Sequence, residues 1–166
     1  VLNTMFSICK FLQDNLTVAP YNFDGEIKID YGGYIDRSQT KPKIIVNDVN
    51  WNWKAEQYGS FENRTIEPLY IEVFAGDRIQ ALRYVNWLIA KEFRGASNGL
   101  LLKAEVPLWR FSETGVLQPE TLIGKVIFSQ RDLPSARFVP DLDVAELAYH
   151  YIIDFSDVEI IFSKEV

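Results

Sequence analysis

Met5, Ile8, Cys9, Leu12 and Leu16 recur at spacings of three and four residues, with Ser7, Lys10, Gln13 and Asp14 on the other side. That period predicts an amphipathic first helix whose apolar stripe faces a core. Pro20 ends it, because proline cannot donate to the helical ladder. The pattern then changes. In "YNFDGEIKIDYGGYIDRSQTKP", Ile27 and Ile29 alternate with Glu26, Lys28 and Asp30, and Gly32-Gly33 interrupts the alternation. A short extended piece followed by a turn is expected there.

The first long strand is predicted in "KPKIIVNDVNWNWKA". Val49, Trp51, Trp53 and Ala55 fall on one side of it, and Asn50, Asn52, Lys54 and Glu56 on the other. Alternation of this kind suits a strand buried on one face. "EPLYIEVFA" repeats the signal after a polar connection from Gln57 to Glu67, so the two strands are expected to be antiparallel neighbours joined by a projecting loop. "AGDRIQALRYVNWLIAKEFRGASNG" then predicts a second helix. Asp77 is its N-cap, Ile79, Leu82, Val85, Ile89 and Phe93 its apolar stripe with Leu88 widening it, and Gly95 its end. Lys91 and Arg94 fall in the last turn, where positive charge complements the helix dipole. This helix is expected to pack across the sheet.

The rest of the chain reads as β-rich. "LLLKAEVPLWRFS", "LIGKVIFSQ" and "AELAYHYIIDFSDVEIIFSKE" hold three or four strand candidates, with Leu147, Tyr149, Tyr151, Ile153 and Phe155 sharing one face. "RDLPSARFVPDLD" has two prolines and no period, and reads as a long surface loop. No internal repeat, low-complexity tract or linker divides the 166 residues, so one domain spanning 1–166 is expected.

Composition narrows the function classes. Hydrophobic residues are 48% and charged residues 24%, as in ordinary globular chains, while aromatics reach 14%. A net charge of −6 argues against a protein whose main task is gripping a nucleic-acid backbone. Cys9 is the only cysteine, which excludes an intrachain disulfide framework and a cysteine-based zinc site. No apolar run approaches the ~20 residues needed to cross a bilayer, and the amino-terminal segment lacks the basic leader of a signal peptide. Assembly in a reduced cytoplasm is the expectation.

Catalytic chemistry finds little support. His150 is the only histidine, in a predicted strand on the face opposite Tyr149 and Tyr151, and no G-x-S-x-G elbow accompanies it. It reads as a structural or surface residue. Asp141, Asp143 and Glu146 in "PDLDVAE" lack the glycine and spacing of an EF-hand loop, and read as a capped turn. "AGD" joins a strand to a helix, but Asp77 at the cap repels a phosphate and neither phosphate-loop pattern is present. No catalytic residue, cofactor site or metal site is assigned, and the chain is expected not to be an enzyme.

The order of elements carries a resemblance. The amphipathic first helix, "KPKIIVNDVNWNW", the strand "LYIEVFAGD" and the helix "RIQALRYVNWLIAKEF" together resemble the tail-terminator and neck proteins of long-tailed bacteriophages, the head–tail joining family. The likeness covers Lys41 to Gly95, with the first helix in support. It implies an α+β fold, a mostly antiparallel sheet sandwiched with two main amphipathic helices. It also implies a structural virion protein without covalent chemistry: a hexameric ring at the head–tail junction that ends tail-tube growth and joins tail to head. Its partners would be the tail-tube protein and a head-completion or connector protein, with DNA passing through the lumen unbound. The extra carboxyl-terminal strands and the "RDLPSARFVPD" loop leave terminator and other neck component both open.

A ring needs one patch of a subunit to meet a different patch of the next. The 57–68 connection, with Tyr58, Phe61, Glu62, Arg64 and Glu67, is one candidate patch, since it mixes aromatic anchors with both signs of charge. Arg131, Arg137 and Phe138 with Asp141, in the second loop, are a candidate contact with the next neck or tail component. Each reads equally well as an ordinary solvated loop.

The rival function is a carbohydrate-binding module using exposed tryptophans. Trp51 and Trp53 on an apolar strand face read instead as core or interface anchors. Trp51→Ala and Trp53→Ala are therefore expected to cost about 3 kcal/mol or more each, measured by urea unfolding. Unchanged stability together with loss of an oligosaccharide-dependent fluorescence response would reverse this assignment.

Overall fold

The computed structural model describes residues 2–29, 41–48, 64–90, 99–111, 119–128, 135–140 and 149–163. Within them the element order is α1 (Leu2–Leu16), β1 (Glu26–Ile29), β2 (Lys43–Asp48), β3 (Arg64–Ala75), α2 (Arg78–Ile89), α3 (Leu100–Lys103), β4 (Val106–Phe111), β5 (Pro119–Phe128), β6 (Ser135–Pro140) and β7 (Tyr149–Phe162). The described strands form one seven-stranded sheet in the order β1-β2-β3-β7-β5-β4, with β6 also paired to β7. The class is α+β. Only β1 with β2 runs parallel, and every other pairing is antiparallel.

The long strand β7 organises the sheet. Along one edge it pairs with β3 from Tyr149 to Ile161. Along the other it pairs first with β6, through Asp154, and then with β5, from Val158 onward. A bulge separates the two halves: Leu69 faces Phe155 but Glu67 faces Val158, so β7 carries one extra residue. An extra residue reverses the alternation. Tyr151, Ile153 and Phe155 point to the core before the bulge, and Val158 and Ile160 after it. Gly124 of β5 lies against this second half, and a Cβ there would overlap the carbonyl oxygen of Ile161.

Helix α1 closes the structure. It packs on β1 and β2 at one end of the sheet and on β4 at the other. Toward β1, Gln13 Nε2 donates to the Ile27 carbonyl at 2.8 Å, and the Cys9 thiol reaches the same oxygen at 3.8 Å. Toward β4, Ser7 Oγ accepts from the Trp109 N–H at 2.9 Å and Asn3 Oδ1 from the Phe111 N–H at 3.1 Å. One helix thus supplies partners to backbone groups on both terminal strands, and the sheet curls around it. Thr4 through Cys9 are all buried. Ser7, predicted on the polar side of the helix, is only 1% exposed because β4 lies against that side and its amide needs an acceptor.

Helix α2 starts at the predicted cap, with Asp77 Oδ1 accepting from the Gln80 N–H at 2.8 Å, and packs on β3 and β7 as expected. Its stripe is rotated from the predicted one. Ala81, Tyr84, Val85 and Leu88 are buried, whereas Ile79 and Leu82 face outward. Aromatic packing sets that rotation: the ring of Phe23 meets Tyr84 edge-on at 5.0 Å, and Trp87 completes the cluster. The helix ends at Ile89, and Lys91, Phe93, Arg94 and Gly95 lie outside the described residues.

Two further expectations change. The first part of "LLLKAEVPLWRFS" is the helical turn α3, started by Gly99 bonding back to Ala90, and its three leucines are buried under α2. Part of "RDLPSARFVPDLD" is strand β6, because the β7 edge ahead of β5 offers it a full ladder. The antiparallel pairing of "KPKIIV" with "EPLYIEVFA" is present as β2 with β3. Val49, Trp51, Trp53 and Ala55 lie outside the described residues.

Ser7→Ala leaves the Trp109 amide without its acceptor and is expected to destabilise the protein by about 1–3 kcal/mol. Lys10→Ala, which removes only the exposed pair with Asp14 at 2.6 Å, is expected to cost under about 0.5 kcal/mol. Equal urea midpoints for the two variants would show that α1 does not secure β4.

Candidate subunit-contact surface

The face of the sheet turned away from α1 and α2 is polar at its centre, yet buried. Lys43 is 0% exposed, Phe74 1%, His150 5% and Asn47 6%. Glu72 ties this region together. One carboxylate oxygen accepts from Asn47 Nδ2 of β2 at 2.9 Å, and the other lies 3.1 Å from His150 Nε2 of β7. That geometry puts a donated proton on Nε2. The imidazole stacks on Phe74, its register partner, at 4.1 Å.

A glutamate orienting a histidine is half of a nucleophilic triad. Cys9 does not complete it: the thiol belongs to the core on the other face of the sheet, and burial pushes it up to about 12. Among the described residues no group of three or more His, Cys, Asp and Glu is placed to hold a metal ion. The arrangement around Glu72 cross-links β2, β3 and β7, and buried polar groups bonded in this way fix a register. Beside it, Glu26 of β1 pairs with Lys43 at 2.9 Å, and the Lys43 ammonium holds the Glu26 carboxyl below the usual carboxylate range.

Comparison of the chain with family models, with curated proteins and with solved structures finds no match.

The sequence-predicted contact residues separate into two places. Tyr58, Phe61, Glu62, Arg131 and Asp141 lie outside the described residues. Arg64 and Glu67 belong to strand β3 rather than to a loop, because Arg64 pairs with Ile161 and Glu67 with Val158 near the far end of β7. Glu67 is half-buried. Arg137 and Phe138 sit in β6, opposite Ile152 and Tyr151 near the beginning of β7. Nine residues of β7 separate Ile161 from Ile152, on the order of 25–30 Å at the rise of a strand. The two predicted patches are therefore at opposite ends of one ladder.

On β6, Arg137 Nε donates to Asp154 at 3.2 Å in an exposed ion pair. Phe138 packs against Tyr151 and Tyr149, with ring centroids at 5.5 and 6.2 Å, but stays 48% exposed. A large aromatic left half in solvent beside a charge pair has the composition of an interface anchor. Among the described residues β6 pairs only with β7, so its other edge is that of a terminal strand.

Sequence reasoning missed a third feature, at the opposite end. Pro107, Leu122, Gly124, Lys125, Ile161 and Phe162 line an open groove of about 410 Å³ across β4, β5 and β7. Leu122 is 50% exposed and Phe162 38%. Glu105 at the rim bonds Lys125 at 3.1 Å. Strand periodicity marked these side chains as apolar, and only the register of β4, β5 and β7 gathers them. The tryptophans of the rival reading divide likewise. Trp87 and Trp109 are half-buried and pack against the core, while Trp51 and Trp53 lie outside the described residues.

Acid tests the Glu26–Lys43 pair. A carboxyl held low when folded contributes stability above its unfolded value, near 4.5, and loses it as pH falls through the lower folded value. Unfolding free energy is expected to decline below about pH 4.5, and Glu26→Gln to flatten that decline while lowering stability at pH 7. An identical acid slope in the variant would exclude Glu26 as a contributor.

Proposed function

We propose that this chain is a structural protein of a phage virion, a tail-terminator or neck component that assembles into a ring at the head–tail junction. The observation that carries the reading is the placement of unlike, partly apolar patches at opposite ends of the β3–β7 ladder. At one end are Phe138, Arg137 and Asp154; at the other are Leu122, Phe162 and the groove between them. Unlike patches on one subunit suit head-to-tail contacts, which close into a ring when the rotation between copies divides a full turn. A self-complementary dimer would need one patch used twice.

The chemistry on the page supports the same reading. The polar cluster at the centre of the sheet is spent on holding strands together, and the exposed apolar residues stand on rigid strands and a helix. The order of elements, an amphipathic helix, a mostly antiparallel sheet and a second capped helix, agrees with the resemblance to head–tail joining proteins. A net charge of −6 suits a lumen that DNA crosses without adhering. Six subunits, a tail-tube partner and a connector partner are parts of this proposal.

Multi-angle light scattering and negative-stain microscopy over a concentration series, with and without tail-tube subunits, test it. A closed ring, six-membered on this reading, is the expected particle. A monomer at every concentration, also in the presence of tube subunits, would refute the ring.

A further inference from the structure

The outward side of α2 is unlike the rest of the chain. Ile79 is 74% exposed and Leu82 37%, one turn apart, so they form an apolar ridge. Arg78 and Arg83 flank it, both exposed, and no carboxylate occurs between Arg78 and Ile89. On a chain with 17 basic and 23 acidic residues, this is a cationic, apolar surface on an anionic protein. It begins just beyond Ala75, the end of β3 that faces Tyr149. The groove lined by Leu122 and Phe162 lies where Gly124 faces Phe162, at the other end of β7. Fourteen residues of strand, roughly 40 Å, separate the two ends. The beginning of the ridge therefore cannot fill the groove of its own chain.

We propose that the α2 ridge, Arg78, Ile79, Leu82 and Arg83, seats in the β4–β5–β7 groove of the next copy of this chain. The inference rests on the ring reading and names the contact that would build it. Ile79 and Leu82 enter the trough between Leu122 and Phe162, replacing water on both apolar surfaces. The groove volume of about 410 Å³ accommodates a pair of aliphatic side chains. Arg78 and Arg83 meet the groove's acidic rim at Glu105, whose side chain is 62% exposed, and the net negative charge of the receiving copy favours their approach. Ridge and groove are different surfaces, so the contact is heterologous and leaves one of each free until the ring closes.

The test uses two full-length variants, Ile79→Asp and Leu122→Asp. Both positions are exposed, so the folded state is expected to survive, which circular dichroism and thermal unfolding verify. Each alone is expected to weaken self-association by roughly tenfold or more, as loss of an interface anchor does. Mixed in equal amounts, they are expected to form a one-to-one dimer that grows no further, read by sedimentation velocity. The Ile79→Asp subunit keeps its groove and the Leu122→Asp subunit keeps its ridge, so one intact contact remains. Ring formation by either variant alone would overturn this contact and leave the ring reading standing. A mixture that stays monomeric would also overturn it. A wild-type chain that assembles in none of these conditions, tail-tube subunits included, would overturn both.

Discussion

Helix α1 meets the backbone of both terminal strands, and the rest of the structure depends on that contact. An open sheet presents unpaired N–H and C=O groups at each edge, which cost stability when buried and invite pairing with other chains when exposed. Here the Ile27 carbonyl of β1 receives Gln13 and Cys9, while the Trp109 and Phe111 amides of β4 find Ser7 and Asn3. A single helix thereby does for two strands what a neighbouring strand would do for each. The sheet must curl to bring both ends within reach, and the bulge in β7 together with Gly124 in β5 lets it bend. The same enclosure makes the Cys9 thiol chemically quiet, since burial disfavours the thiolate that would react.

The second constraint is the polar centre on the other face. Asn47, Glu72 and His150 come from three adjacent strands, β2, β3 and β7, and bond through one carboxylate. A buried carboxylate without such partners would be costly, so a strand shifted by one residue would separate the groups and incur that cost. Lys43 and Glu26 do the same between β2 and β1. Polar residues here specify alignment, and the aliphatic core on the helical side supplies most of the driving force.

With the interior committed to closure and register, the remaining chemistry is on the outside. The half-exposed Phe138 on β6, the α2 ridge and the β4–β5–β7 groove are dissimilar, and they occupy opposite ends of the longest ladder in the sheet. A rigid subunit with dissimilar ends is what head-to-tail assembly requires. Rigidity matters because a ring closes only if each contact repeats the same rotation. A ladder of paired strands holds that angle better than loops do.

The chain alone was enough to predict α1, the Asp77 cap, the β1 alternation, the antiparallel β2–β3 pair and the face of β7 that holds Tyr151, Ile153 and Phe155, because each follows from local period and local hydrogen bonding. It also singled out Arg137 and Phe138 as surface contact residues, though as part of a loop. What it could not determine depends on partners distant in sequence. Ser7 is buried because Trp109, 102 residues later, needs its hydroxyl. Ile79 and Leu82 are outside because Phe23 claims Tyr84 and turns α2 about its axis. The stretch Ser135–Pro140 is a strand because β7 has a free edge beside it, and the groove exists because three strands meet in one register. Local sequence determines which residues are apolar and with what period. Only tertiary packing decides which of them are covered, since coverage is a property of the neighbours a side chain acquires.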